Sequence, residues 1–421
     1  MFKKPLCNKG AAILLAVLFS AFWVCSAFAA GNIHFGRLKV EPGIDYKLKY
    51  DDNIFKESAN EEDDYIHIFT PSVRMSYAGN PGNFFNAGYS ADLVAYSDFD
   101  NNNYTTQRPW VAFGYRNPAG FYIQAADDFV YTKDPLGSRN QYQLGVNTER
   151  WNNNANVTIG YEFAGQYSVE VLYKRYVERY DLDQDKWQDR TDNVYGMSFI
   201  YKMTPKTSVF GQIRRTDAEY DEQNDGVTGD GVTWSAATSQ DYSLNDFFIG
   251  ARFEPGGKLS GELKIGYGEK SFDNETSPLF ANRVYEDEST WIAESSINYQ
   301  MYERTGIALT LNRGHLGSPD SDAASYIDTD VGLHLTQGLQ NRLALLVGMD
   351  WITNDYQNEV SGRPDKFFNI YNAGIGIEWA ARDWLKAGVE YRLESKKATE
   401  DTYASQEYDD NVVAFRISAL F

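Results

Sequence analysis

Val413-Ala414-Phe415-Arg416-Ile417-Ser418-Ala419-Leu420-Phe421 closes the sequence. Its odd positions are all apolar, while the even ones mix Ala414, Arg416, Ser418 and Leu420. An extended strand sends successive side chains to opposite faces, so this segment has one wholly apolar face and one mixed face. Two architectures use such a strand. In a soluble β-sandwich it lies half-buried against a core. In a membrane β-barrel it turns apolar residues to lipid and polar ones to a lumen.

The same alternation recurs upstream. Phe85, Ala87, Tyr89, Ala91 and Leu93 alternate with Asn86, Gly88, Ser90 and Asp92. Leu259 to Tyr267, Tyr371 to Trp379 and Leu385 to Leu393 repeat it, and no 3.6-residue period follows the N-terminal segment. The chain reads as all-β.

The connections decide between sandwich and barrel. Short turns rich in Gly, Pro and Asn fall at 78–82, 117–120, 164–166, 204–206, 255–257, 302–304, 338–340 and 381–383. Between them lie longer polar stretches, among them 51–63, 221–241, 273–288, 315–325, 354–365 and 396–407. A sandwich has no reason to lengthen every second loop, whereas an outer-membrane barrel has short periplasmic turns and long extracellular loops. Eight turns join sixteen strands, and a first strand near Arg37–Tyr50 plus the terminal one make eighteen. A polar run at 133–154 leaves one boundary open, with sixteen strands as the alternative. The expected fold is a closed antiparallel transmembrane β-barrel occupying residues 30–421.

Residues 1–29 have the form of a Sec-type signal peptide. Lys3, Lys4 and Lys9 precede an apolar run from Ala11 to Val24, and Ala27-Phe28-Ala29 supplies an A-x-A cleavage site. Both cysteines, Cys7 and Cys25, lie inside this segment, so the mature chain has no disulfide framework and no thiolate site. Its removal takes the formal charge from −20 to −23, which excludes nucleic acid as a partner. The mean hydropathy of −0.51 suits a soluble protein. A barrel escapes that argument, since only half of each strand faces lipid. The 30 Tyr, 25 Phe and 9 Trp suit belts at two membrane interfaces.

A barrel of sixteen to eighteen strands leaves an aqueous channel unless loops fold into it. Strand parity turns Lys174, Lys202, Glu262, Lys264, Glu294, Glu378, Lys386, Glu390, Arg392 and Glu394 toward the lumen. These charges either pair across the wall or form a ladder that sets solute selectivity.

Catalytic and cofactor motifs are lacking. The four histidines, His34, His67, His315 and His334, form no metal motif, and no nucleophile elbow or phosphate-binding loop appears. Ser318 lies near His315 inside a Gly/Pro/Asp loop, a poor setting for a hydrolase. Asp181, Asp183 and Asp185 have the spacing that opens an EF-hand loop. Lys186, however, takes the place that requires Gly, leaving at most a loose calcium site beside the plainer reading of a solvated loop. No enzyme activity and no cofactor are expected.

Pro42, Tyr46 and Tyr50-Asp51-Asp52-Asn53-Ile54-Phe55 resemble the opening strand and turn of the family designated Putative beta-barrel porin 2. Phe69-Thr70-Pro71-Ser72-Val73 is similar to its second strand. Tyr201-Lys202-Met203-Thr204-Pro205-Lys206-Thr207 resembles its recurring hairpin, and Phe421 its aromatic end. The resemblance implies an outer-membrane barrel of Gram-negative bacteria, associated with exopolysaccharide production and export, and supplies no catalytic residues. In the residues themselves, Asp51-Asp52-Asn53 reads first as turn chemistry.

Two functions remain open. One is a passive channel, a conduit for secreted polysaccharide. The other is a binding barrel plugged by a loop, with 221–241 as the candidate plug. The expected partners are outer-membrane lipid and lipopolysaccharide, polysaccharide, and the barrel assembly machinery, which would engage Val413, Phe415, Ile417 and Phe421.

Overall fold

The computed structural model describes residues 33–80, 82–134, 148–182, 186, 188–221, 241–254, 256–273, 285–318, 323–340, 342–359 and 364–421. The segment 1–29, expected to be a signal peptide, and most of 221–241 lie outside the described residues.

A short strand, β1 (Ile33–Phe35), folds back on the start of β2 (Leu38–Asp51), with His34 opposite Lys39. Then come β3 (Asp64–Ala78), β4 (Phe84–Tyr96), β5 (Tyr104–Arg116), β6 (Phe121–Asp134), β7 (Thr148–Phe163), β8 (Tyr167–Tyr180), β9 (Arg190–Thr204) and β10 (Thr207–Tyr220). They are followed by β11 (Tyr242–Phe253), β12 (Leu259–Phe272), β13 (Glu288–Tyr302), β14 (Thr305–Gly317) and β15 (Ala323–Gly338). The last four are β16 (Leu343–Glu359), β17 (Phe367–Arg382), β18 (Leu385–Ala398) and β19 (Tyr408–Leu420). From β2 to β19 each strand is antiparallel to the next, and β19 returns to β2 in register from Val412↔Asp51 to Leu420↔Gly43. The sheet is an eighteen-stranded closed barrel with one additional strand, and closure removes the unpaired edges of an open sheet.

All eight short turns fall between the strands where composition puts them. At 117–120, Gly120 has φ +96°, and a Cβ there would strike the carbonyl oxygen of Glu162, so only glycine fits. The long connections differ from expectation in extent. β14 runs on to Gly317 and β15 starts at Ala323, so 315–317 and 323–325 continue the strands. β16 likewise reaches Glu359 and β18 reaches Ala398. Polarity there marks strands that have risen above the lipid, where the ladder continues without an apolar face. The open boundary at 133–154 resolves into β6 and β7, paired from Phe121↔Tyr161 to Asp134↔Thr148.

The two faces separate by parity. Ile213, Phe247, Ile249, Leu263, Ile265, Met349, Ile375, Val389 and Phe415 are exposed on the outer wall. Exposed apolar surface on this scale belongs against hydrocarbon. Toward the short-turn rim, Tyr161, Phe163, Tyr167 and Tyr201 stack in sequence at 6.3, 5.8 and 5.3 Å. Toward the long-loop rim, Tyr50 meets Tyr65 at 5.1 Å and Phe129 meets Trp151 at 5.8 Å. Tyr161 and Trp151 are ten residues apart on β7. At about 3.3 Å per residue and a tilt of roughly 40°, that spans about 25 Å, the height of a barrel's apolar band.

Candidate functional site

The inner wall is the candidate site, and it is built by register. Outward Ile265 fixes Lys264 inward on β12; the pairings Lys264↔Glu294 and Gly250↔Lys264 carry that assignment to β13 and β11. By the same reasoning all ten lumen candidates lie on inward positions.

Seven of the ten have a partner of opposite charge. Glu262 holds Arg252 at 2.8 Å, Lys264 holds Glu294 at 2.6 Å, and Glu294 also holds Arg214 at 2.6 Å. Along the wall from β17 to β2, Lys386 meets Glu378 at 2.8 Å, Glu390 meets Lys47 at 2.5 Å and Glu394 meets Lys56 at 2.5 Å. Lys174, Lys202 and Arg392 have no carboxylate at ion-pair distance among the described residues. The unmatched candidates are thus all cations.

The pairs on one side join into a ladder. Tyr122 donates to Glu170 at 2.8 Å and Glu170 faces Arg252 at 3.4 Å; the line then passes through Glu262, Lys264, Glu294 and Arg214 to Asp246, 2.6 Å away. Nearer the long-loop rim, Glu178 lies between Arg150 and Arg190. Arg214, Arg252, Glu170 and Asp246 were not among the sequence candidates, although inward parity on β8, β10 and β11 was the signal that could have found them.

A second feature comes from a loop. Ile54, between β2 and β3, is buried against inward Ile66 and Val94, with Phe55 edge-on to Phe99 at 5.1 Å. Ile54 and Lys56 line a cavity of about 210 Å³ together with Lys49, Arg392 and Glu394, so the loop bends into the bore. Its root is the Asp51-Asp52-Asn53 motif. Asp52 accepts the Asn411 amide at 2.6 Å and the Asn411 side-chain NH2 at 2.9 Å; Asn53 Nδ2 donates to the Asp409 carbonyl at 2.9 Å. Asn53 also binds Glu57 in both directions, at 2.8 and 3.0 Å. The motif therefore makes its turn and also clamps β2 to β19.

Beside the Ile54 cavity, and sharing Arg392 with it, lies a recess of about 540 Å³. Gly348, Gly374 and Gly376 form its floor, with His334, Asp350, Lys47, Glu390 and Arg392 around it. A Cβ at Gly348 would press on His334 at 2.5 Å, so glycine lets the imidazole lie flat on the wall. At the long-loop rim, Tyr403 tucks beneath the turn Asp401–Gln406 and donates to the Pro364 carbonyl at 2.9 Å. Lys366 sits over Tyr356 at 4.7 Å and over Tyr403 at 5.4 Å. Between β8 and β9, burial pushes the Asp189 carboxyl up to about 6, and that group accepts the Tyr180 amide at 2.7 Å.

Of the calcium candidates, Asp181 lies 3.4 Å from the Tyr131 hydroxyl, and Asp183 and Asp185 lie outside the described residues. His315 bonds Glu288 at 3.1 Å, and Ser325 donates to the same carboxylate at 2.5 Å. Glu288 stands between hydroxyl and imidazole, an order opposite to that needed to activate serine. At the terminus, Val413, Phe415 and Ile417 face outward, and Phe421 donates its amide to the Pro42 carbonyl at 2.9 Å and stacks on Trp384 at 5.6 Å.

A sealed antiparallel sheet, greasy outside and charged inside, with turns on one rim and loops on the other, defines an outer-membrane β-barrel of porin type. The chain belongs to the family Putative beta-barrel porin 2, whose pattern it matches over residues 26–420. No curated protein sequence matches it. Among solved structures it is similar to a mutant of the ferric enterobactin receptor PfeA from Pseudomonas aeruginosa. The identity is 8% and the TM-score 0.44, over 91% of this chain and 80% of that one. It is similar to the copper transporter OprC at 10% identity and TM-score 0.46, over 89% of this chain and 63% of that one. A bacterial polysaccharide outer membrane secretin gives 9% and 0.35, over 91% and 98%. At these scores the likenesses bear no functional weight.

Proposed function

We propose that the chain is a passive channel of the bacterial outer membrane, delivered by Sec export, and that its lumen conducts a secreted polysaccharide. The observation that supports channel activity is the inner wall. It is charged and half-exposed where the outer wall is apolar, as a water-filled bore requires. Export of polysaccharide is supported by the resemblance to a family associated with that process. The charges act by neutralising one another in pairs, so the wall neither traps nor repels a neutral polymer, and the unmatched cations bias small ions. The protein has no catalytic role in this reading. Its partners are lipid and lipopolysaccharide outside, the assembly machinery at the terminal strand, and polymer within. Lipid-facing Ile417 and Phe415 suit the first of these.

A second reading, a binding barrel closed by its own loop, is favoured by the inward bend at Ile54. The segment from Asp51 to Asp64 then plays the part assigned to 221–241 from composition. Reconstitution of the purified full-length protein in a planar bilayer separates the two. Channel activity predicts stable ohmic steps in potassium chloride, and folded protein that gives no conductance overturns it.

A further inference from the structure

A cavity of about 360 Å³ opens in the inner wall between β8 and β14, away from both the Ile54 loop and the glycine recess. Its polar lining is incompletely bonded. Among the described residues, Asp192 Oδ1, Asp246 Oδ1, Arg190 Nε and His315 Nε2 are buried with no hydrogen-bond partner. The His315 side chain is 1% exposed and is held from its other ring nitrogen by Glu288; that of Asp246 is 2% exposed. A buried polar atom left without a partner costs about 1–3 kcal/mol, so four around one cavity call for an occupant that both donates and accepts.

Charge narrows the class of occupant. The lining carries four Lys or Arg side chains and four carboxylates. An anion would face as many carboxylates as cations, and a cation the reverse. A hydroxyl group suits the mixture, since it donates to a carboxylate while accepting from Arg190 or His315. Leu172, Val194, Leu244 and Ile292 add apolar surface for a C–H face. At roughly 30 Å³ per water, the space takes about a dozen waters, or one hexose unit with a few waters around it.

We infer that this cavity is a binding subsite for a neutral, polyhydroxylated solute of about one hexose. The inference deepens the conduit reading and names where a sugar would pause on the wall. The same chemistry is offered by a free hexose and by one residue of a polymer.

The test is calorimetric titration of detergent-folded, full-length protein with D-glucose, D-galactose and maltohexaose, and with glucuronate and glucosamine as charged controls. Bilayer conductance is recorded in parallel. The expected result is saturable binding of the neutral sugars, at least about tenfold tighter than the controls. Asp192→Ala should weaken it about tenfold, as loss of one hydrogen bond to a buried acceptor does. Leu244→Trp fills the space while keeping every charged side chain of the lining, and should abolish binding. Both variants are first checked for folding by heat-dependent gel mobility. Maltohexaose binding more tightly than glucose marks a polymer residue as the source, and equal affinity marks a free sugar; each supports the subsite. Absence of saturable binding to folded wild type overturns it, the four atoms then being served by water. Undiminished binding in Leu244→Trp also overturns it. Sugar binding without conductance keeps the subsite and removes the channel, so the two ideas fail separately.

Discussion

Asp52 and Asn411 lie 359 positions apart in sequence; the Asp52 amide donates to the Asn411 carbonyl at 3.2 Å, and the Asp52 carboxylate accepts two more bonds, from the Asn411 amide and from its side chain. A carboxylate accepting at a partly buried site is worth about 1.5–3 kcal/mol. Asp52→Ala should therefore lower the stability of the folded barrel by about 2 kcal/mol. Asp52→Asn, which keeps one acceptor for the amide, should lose about half of that. Urea midpoints of detergent-folded protein measure both, and an unchanged midpoint in Asp52→Ala would mean that the ladder alone holds this junction. The turn-forming character of Asp51-Asp52-Asn53 was legible from residue type. Its partner was not, because alternation shows which face a side chain takes and never which distant strand lies beside it.

Strand parity was the most legible property, since a period of two survives any loop length. It assigns one face to the ten lumen candidates and the other to Val413, Phe415 and Ile417. Loop extents were less legible. Residues 315–317, 323–325 and 354–359 belong to strands, yet their polarity reads as that of a loop, because strand ends clear of lipid carry no apolar face. The bend of the β2–β3 connection into the bore was also missed. Its signal was small: one apolar pair, Ile54-Phe55, amid Asp, Asn, Lys and Glu. Burial of Ile54 against Ile66 and Val94 supplies the hold, and Ile→Ala at such a site costs about 2–5 kcal/mol. Ile54→Ala should free the connection and raise single-channel conductance, with the Asp52 clamp keeping the barrel shut. Conductance equal to that of wild type would place the narrowest point elsewhere.

For the molecule as a whole, the channel reading predicts that paired charges cancel and that the remainder sets ion preference. Lys174, Lys202 and Arg392 stand unmatched among the described residues, against an overall formal charge of −20. Inside the wall these cations should favour small anions, and Arg392, which lines both the glycine recess and the Ile54 cavity, should matter most. Arg392→Glu is expected to move the reversal potential in a potassium chloride gradient toward potassium. A reversal potential that stays put would exclude this arc from the ion path. The pairing of β19 with β2 has a further outcome for the cell. Until the final strand has emerged, the growing ribbon keeps two sticky margins and encloses nothing. A copy lacking β19 therefore stays an unsealed strip, open to proteolysis, and does not become a leak in the envelope.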